Sequence, residues 1–192
     1  MGVGSDKRFK LRAAAAAWAL AAAAAAAALG PNAHAAAATP ALELKMQAIC
    51  PDIKPEKEIP GKFTCDGLNV NPTIRVIAPP ADAKSLVVIV EDPDAPTGIF
   101  THWVLFDVPV LTQIDEAAAP GRQALNDFGR PQYNGPCPPP GKPHRYYFKV
   151  YALDAYLDLT EGALRAQVEE ALKGHVLAQA QVNALFGRSQ RR

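Results

Sequence analysis

Along the chain, short apolar runs alternate with breaks rich in proline and glycine, and most runs are too short for helices. Residues 42–49 read as a first short strand, followed by a charged, proline-bearing loop from Pro51 to Pro60. Phe63–Pro72 contains Asp66-Gly67 and Asn71-Pro72 and reads as a turn-rich loop. Thr73–Ile77 is a strand closed by Pro79-Pro80. Ser85–Val90 runs apolar without alternation, the mark of a strand buried on both faces. It stops at Asp92-Pro93-Asp94-Ala95-Pro96-Thr97-Gly98, a rigid turn. Thr101–Val108 alternates and reads as a strand, whereas Leu111–Gly135 has little periodicity and reads as loop. Gly135–Gly141, with four prolines, is a stiff hinge, and His144–Leu153 is a β-branched and aromatic strand. Helices come last. Thr160 serves as an N-cap for Leu164, Val168 and Leu172 at i, i+4 and i+8, with Gly174 as the stop. Val176–Phe186 reads as a second short helix. Strands followed by helices predict a mostly β fold, an antiparallel sheet with two short C-terminal helices.

The first residues follow a different logic. Lys7, Arg8, Lys10 and Arg12 precede an almost purely apolar stretch from Ala13 to Leu29, then Gly30-Pro31 and Ala33-His34-Ala35. A charged, an apolar and a small-residue segment in that order are the layout of a secretory signal peptide. The apolar part is shorter than the ~20 residues a membrane span needs. The expected organisation is therefore residues 1–35 as a removed signal and 36–192 as one domain, in the periplasm or outside the cell. The net charge of +1 and the lack of a long basic run in 36–192 give no electrostatic footprint for nucleic acid. Three cysteines, Cys50, Cys65 and Cys137, leave three pairings open in an oxidising compartment. Cys65–Cys137 is favoured, because both lie in turns beside the candidate site.

That site is suggested by strand parity. Side chains alternate along a strand, so His102 shares a face with Val104, Phe106 and Val108, and His144 with Tyr146, Phe148 and Val150. Both histidines open a strand, on its core-directed side, directly after a proline-rich turn. Prolines 93 and 96 fix how Asp92 and Asp94 are presented, and one carboxylate could orient an imidazole by accepting its N–H. A protonated histidine pair with backbone N–H groups could then hold a phosphate. The plainer readings are two locally bonded strand-end histidines and a surface turn. Two histidines and a carboxylate also form the ligand set of a facial-triad metal site, but the ligands come from separate turns. A nucleophilic triad has no support: there is no G-x-S-x-G, and Ser85 lies in an apolar strand.

Taken together, several segments resemble the phosphatidylethanolamine-binding protein family, also called Raf kinase inhibitor-like proteins, in its bacterial branch. They are Phe63–Gly67, Asp92–Gly98 with His102-Trp103, Asn126-Asp127-Phe128-Gly129, Gly135–Pro139, His144-Arg145-Tyr146, Tyr151–Asp154 and Lys173–Ala178. They run in one order from about residue 42 to 187. The resemblance implies a Greek-key-like β-sandwich with a shallow anion pocket near one end. It maps Asp92, Asp94, His102, His144 and Tyr146 onto the pocket, with Pro136–Pro139 as a wall. It further implies a binding or regulatory protein for phosphate-like anions or phospholipid head groups, without cofactor or catalysis, some members inhibiting kinases or proteases. The alternative is a hydrolase using the same pocket, with His102 as general base.

Overall fold

In a computed structural model of the chain, residues 45–188 are described. The expected signal peptide and the residues around its cleavage site lie outside that range. Eight strands and one helix appear in the order β1 (Gln47–Ile49), β2 (Ile74–Ile77), β3 (Ser85–Asp92), β4 (Phe100–Pro109), β5 (Gln113–Ile114), β6 (Arg122–Gln123), β7 (His144–Leu153), α1 (Arg165–Leu172) and β8 (Val176–Phe186). The fold is mostly β, with a three-stranded sheet ordered β1-β2-β5 and a five-stranded sheet ordered β6-β4-β3-β7-β8. Every pairing is antiparallel.

The unbroken apolar run becomes β3, which lies between β4 and β7 and is buried at every position. Its two faces serve two cores. Leu86, Val88 and Val90 join Trp103, Leu105, Tyr146 and Phe148 in a layer that includes Ile74 and Val76 of the smaller sheet. Val87 and Ile89 point the other way and pack with Val104, Phe106 and, from α1, Val168 and Leu172. Sequestering Val168 and Leu172 supplies about 1.5–3 kcal/mol each, which fixes α1 on the outer face.

Two helical expectations are corrected. The helix begins at Arg165 with Leu164, not Thr160, as its N-cap, so Leu164 is exposed instead of completing the apolar stripe. The C-terminal segment Val176–Phe186 is not a second helix but the longest strand, paired with β7 over nearly its whole length. Its alanines, glutamines and leucines favour helix in isolation. Yet Ala178, Ala180, Val182, Ala184 and Phe186 alternate with Gln179, Gln181, Asn183 and Leu185, a period of two that fits one buried sheet face. Tertiary pairing decides against local propensity.

Candidate functional site

Asp92 ends β3 on the parity of Val90, facing the layer between the sheets. Its two carboxylate oxygens have different tasks. Oδ1 accepts the backbone N–H of Asp94 at 2.8 Å, which shapes the turn. Oδ2 accepts the Nδ1–H of His144 at 2.7 Å, which orients the ring and leaves Nε2 as the outward nitrogen. Asp94 does not share this role. Its carboxylate takes the backbone N–H and the guanidinium of Arg145, at 2.8 Å from Nε and 2.5 Å from Nη2. Those hydrogen bonds hold its carboxyl well below the usual range. Arg145, named in the sequence only as part of a recognised segment, thus pins the aspartate turn to the start of β7.

Simple parity does not place His102. Val90 pairs with Trp103, but Glu91 pairs with Thr101, so β4 carries one extra residue, and it is His102. A β-bulge of this kind bends a strand and re-aims a side chain. Val104 and Phe106 face the helix side, whereas His102 and Trp103 both face the other, and the His102 ring meets Tyr146 edge-to-face at 5.3 Å. Tyr146 keeps the expected parity with Phe148 and Val150. The two histidines therefore lie in one cluster with Asp92 and Tyr146, by a route different from simple alternation.

Around His102 the backbone is tightly held. Its Nδ1–H donates to the carbonyl of Asn134 at 2.8 Å, and its own carbonyl accepts the backbone N–H of Asn134 at 3.1 Å. The Asn126 amide donates to the same His102 carbonyl at 3.2 Å and to the Asn134 side chain at 2.8 Å. Phe100 and Phe128 lie against the ring at 5.3 and 5.6 Å. Burial lowers the His102 pKa below the ordinary imidazole value, with the Asn134 carbonyl acting in the opposite sense. Asn126, Asn134 and the two phenylalanines were not among the expected site residues. Asn126 and Phe128 fall in a recognised segment, but their contacts depend on the bulge.

The Tyr146 hydroxyl is buried without a hydrogen-bond partner. The Asp92 carboxylate and the Cys137 backbone lie near enough to act on its pKa, which burial raises, yet neither meets hydrogen-bond geometry. Buried hydroxyls are nearly always paired, which makes this one an exception in the cluster. The wall beside it is Gly135–Pro138. Cys65 and Cys137 form a disulfide across 72 residues, and Cys65 N–H donates to the Pro136 carbonyl at 3.1 Å. Gly135 must be glycine, since a Cβ there would meet the Phe63 carbonyl at 2.1 Å. Pro136 is buried within this seam, and Pro139 is exposed. Cys50 stands apart as a buried thiol whose pKa burial pushes up to about 12.

With both imidazoles neutral, the charges of Asp92, Asp94 and Arg145 sum to one negative; with both protonated, the cluster sums to one positive. No group of three His, Cys, Asp or Glu side chains suited to a metal occurs among the described residues. Five surface hollows of 210–670 Å³ include one lined by Arg145, and none of the five is lined by Asp92, His102, His144 or Tyr146.

Residues 50–187 match the profile described as phosphatidylethanolamine-binding protein. The chain belongs to this family. A UPF0098 protein of Pyrococcus horikoshii is 45% identical over 140 residues, covering 68% of this chain and 71% of that protein. A UPF0098 protein of Aquifex aeolicus is 43% identical over 153 residues, covering 74% and 89%. Among solved structures, the phosphatidylethanolamine-binding protein homologue CT736 of Chlamydia trachomatis superposes with a TM-score of 0.72 at 36% identity, covering 76% of this chain and 99% of that one. E. coli YbcL, a member of the mammalian family, gives 0.71 at 27%, covering 76% and 100%. The two sheets and single helix are thus this family's ligand-binding fold.

Proposed function

We propose that the protein is an exported, non-catalytic binder of phosphate-like anions, free or as phospholipid head groups, held by His102, His144 and Tyr146. Asp92 orients His144, Asp94 fixes the turn, and Pro136–Pro139 bound the cleft. The observation that carries this reading is the unpartnered Tyr146 hydroxyl, its ring against His102 and its nearest carboxylate the Asp92 that aims His144. An anion supplies the missing acceptor, and its charge favours protonation of both rings, turning the local sum from negative to positive. Charge-assisted hydrogen bonds of this kind are the strong ones. Export is supported by the Cys65–Cys137 disulfide, which persists in oxidising compartments. Inhibition of a kinase or protease would follow from occupying this cleft with a phosphate-bearing partner.

The test is made on protein isolated from the extracytoplasmic fraction of its host, with a chain starting near Ala36. Inorganic phosphate and phosphoethanolamine are titrated in, and the imidazole resonances followed. Both rings should shift together, and His144→Ala should weaken binding about ten-fold or more. Unmoved histidines at tens of millimolar phosphate, or protein found only in the cytoplasm with its first residues intact, would overturn the corresponding half of the proposal.

A further inference from the structure

Beside His102 stands an aromatic ring that the protein holds in place without burying it. The segment Asn126-Asp127-Phe128-Gly129 starts at a buried asparagine. Its side-chain oxygen accepts the backbone N–H of Phe128 at 3.0 Å and that of Arg130 at 3.1 Å. Gly129, at φ 70°, turns the chain, and its N–H donates to the Asn126 carbonyl at 2.9 Å. Asp127 is tied to β4 twice: its N–H donates to the Thr101 carbonyl at 3.0 Å, and its carboxylate accepts the Thr101 N–H at 2.6 Å. Five hydrogen bonds thus fix the backbone around Phe128, and that residue is still 43% exposed.

What the Phe128 ring does touch belongs to the candidate site. It meets Phe100 edge-to-face at 4.9 Å and His102 at 5.6 Å, with interplanar angles of 76° and 69°. His102 in turn meets Phe100 and Tyr146, each at 5.3 Å. Four rings therefore run without a break from the buried Tyr146 hydroxyl to the surface at Phe128. An apolar ring stabilises a fold through the area it removes from water, and much of this one stays in water. Single exposed apolar side chains are ordinary. This one is clamped by its own loop and packed against a histidine of the anion site.

We infer that Phe128 and Phe100 form a subsite for an aromatic ring carried on the phosphate itself, so that the ligand is a phosphate monoester of a phenol-type ring. The inference rests on the anion site proposed above and narrows what that site takes. Two observations point to a ring joined directly to the ester oxygen. The 5.6 Å between His102 and Phe128 is a separation of rings in contact. A ring on a phosphate held by His102 therefore needs no spacer to reach Phe128. The pairs already present are tilted or edge-to-face, the geometry aromatic rings prefer. An incoming ring extends the run in the same manner and covers the exposed part of Phe128. An aliphatic substituent buries area there without that further attraction.

Methyl, cyclohexyl and phenyl phosphate, titrated into the protein as its host makes it, test the inference. Phenyl phosphate should bind about ten-fold tighter than methyl phosphate and about three-fold tighter than cyclohexyl phosphate. Phe128→Leu keeps an apolar side chain and removes the ring. It should bring the phenyl-to-cyclohexyl ratio to about one, a ratio that is read whatever the variant does to phosphate affinity as such. In the unaltered protein, nuclear Overhauser contacts should join the phenyl protons to the Phe128 ring. Phenyl phosphate no tighter than cyclohexyl phosphate overturns the inference, as does a preference for phenyl that survives in Phe128→Leu. If all three esters bind alike, the anion site stands and the ring subsite falls. If none binds, the anion site fails and the inference falls with it.

Discussion

Glu91 and Asp92 are neighbours on β3 and face opposite sides of the same sheet. Each is a buried carboxylate, and the surroundings of the two differ in one respect. Glu91 faces α1, where Arg165 bonds it at 2.7 Å and Lys149 at 2.5 Å, while Arg165 also reaches Thr101 and Glu169. Every polar group in that cluster has a partner. Asp92 faces the layer between the sheets, where His144 is its one side-chain hydrogen-bond partner and the nearby Tyr146 hydroxyl has none. A satisfied network holds helix to sheet; the proposed anion would complete the unsatisfied one. The bulge at His102 separates them, sending Thr101 to the closed side and His102 to the open one.

The comparison is broken most forcefully on the closed side. Glu91→Ala leaves two cations without their anion and should cost about 3 kcal/mol, near the low end for a broken buried pair because both cations retain some contact with water. Urea unfolding reads this as a lower midpoint at unchanged slope, with phosphate affinity of the folded protein little altered. A smaller loss, accompanied by lost affinity, would mean that the two faces are one unit. On the open side the sign reverses. Tyr146→Phe removes a donor that has no acceptor in the free protein, so stability should stay level or rise by up to about 1 kcal/mol, while phosphate binding weakens. If the variant is instead clearly destabilised, the hydroxyl already has a partner and the contrast fails.

How much of this could be read from the chain depended on whether local pattern or long-range pairing decides each feature. The all-apolar run announced β3, and the aromatic run announced β7 to the residue. Asp92 and His144 were legible because prolines and strand starts fix them. His102 was reached by counting alternate residues from Val108, and the count should have failed twice. Asp107, in the left-handed region at φ 54°, marks one bulge, and His102 is the extra residue of another. Neither bulge has a glycine to signal it. Val176–Phe186 shows the opposite error, because its period of two was visible and the helix-forming composition was given more weight. The Cys65–Cys137 pairing was favoured among three open choices because both cysteines lie in turns beside the candidate site, and the meeting of loops 61–69 and 133–137 is what brings them together.

The smallest effect concerns protons on the open side alone. Burial lowers the His102 pKa in the folded protein, while in the unfolded chain the ring titrates at about 6.5. Between those two values the unfolded state binds more protons, so stability must rise with pH across that window and fall as pH drops below about 6.5. The fall ends once pH is below the folded value, where both states are protonated. Urea midpoints taken through this range, for the protein and for His102→Gln, isolate the contribution as the difference between the two curves. Phosphate should act against it, since an anion that prefers the protonated ring raises the folded pKa and adds its binding energy most strongly at the acid end. The acid-side loss should therefore shrink or invert in phosphate for the protein and not for the variant. The Glu91 side offers no such lever, because its anion is already held by two cations. A phosphate-insensitive curve would show that His102 stays neutral with ligand present, leaving His144 and Tyr146 as the groups that meet the anion.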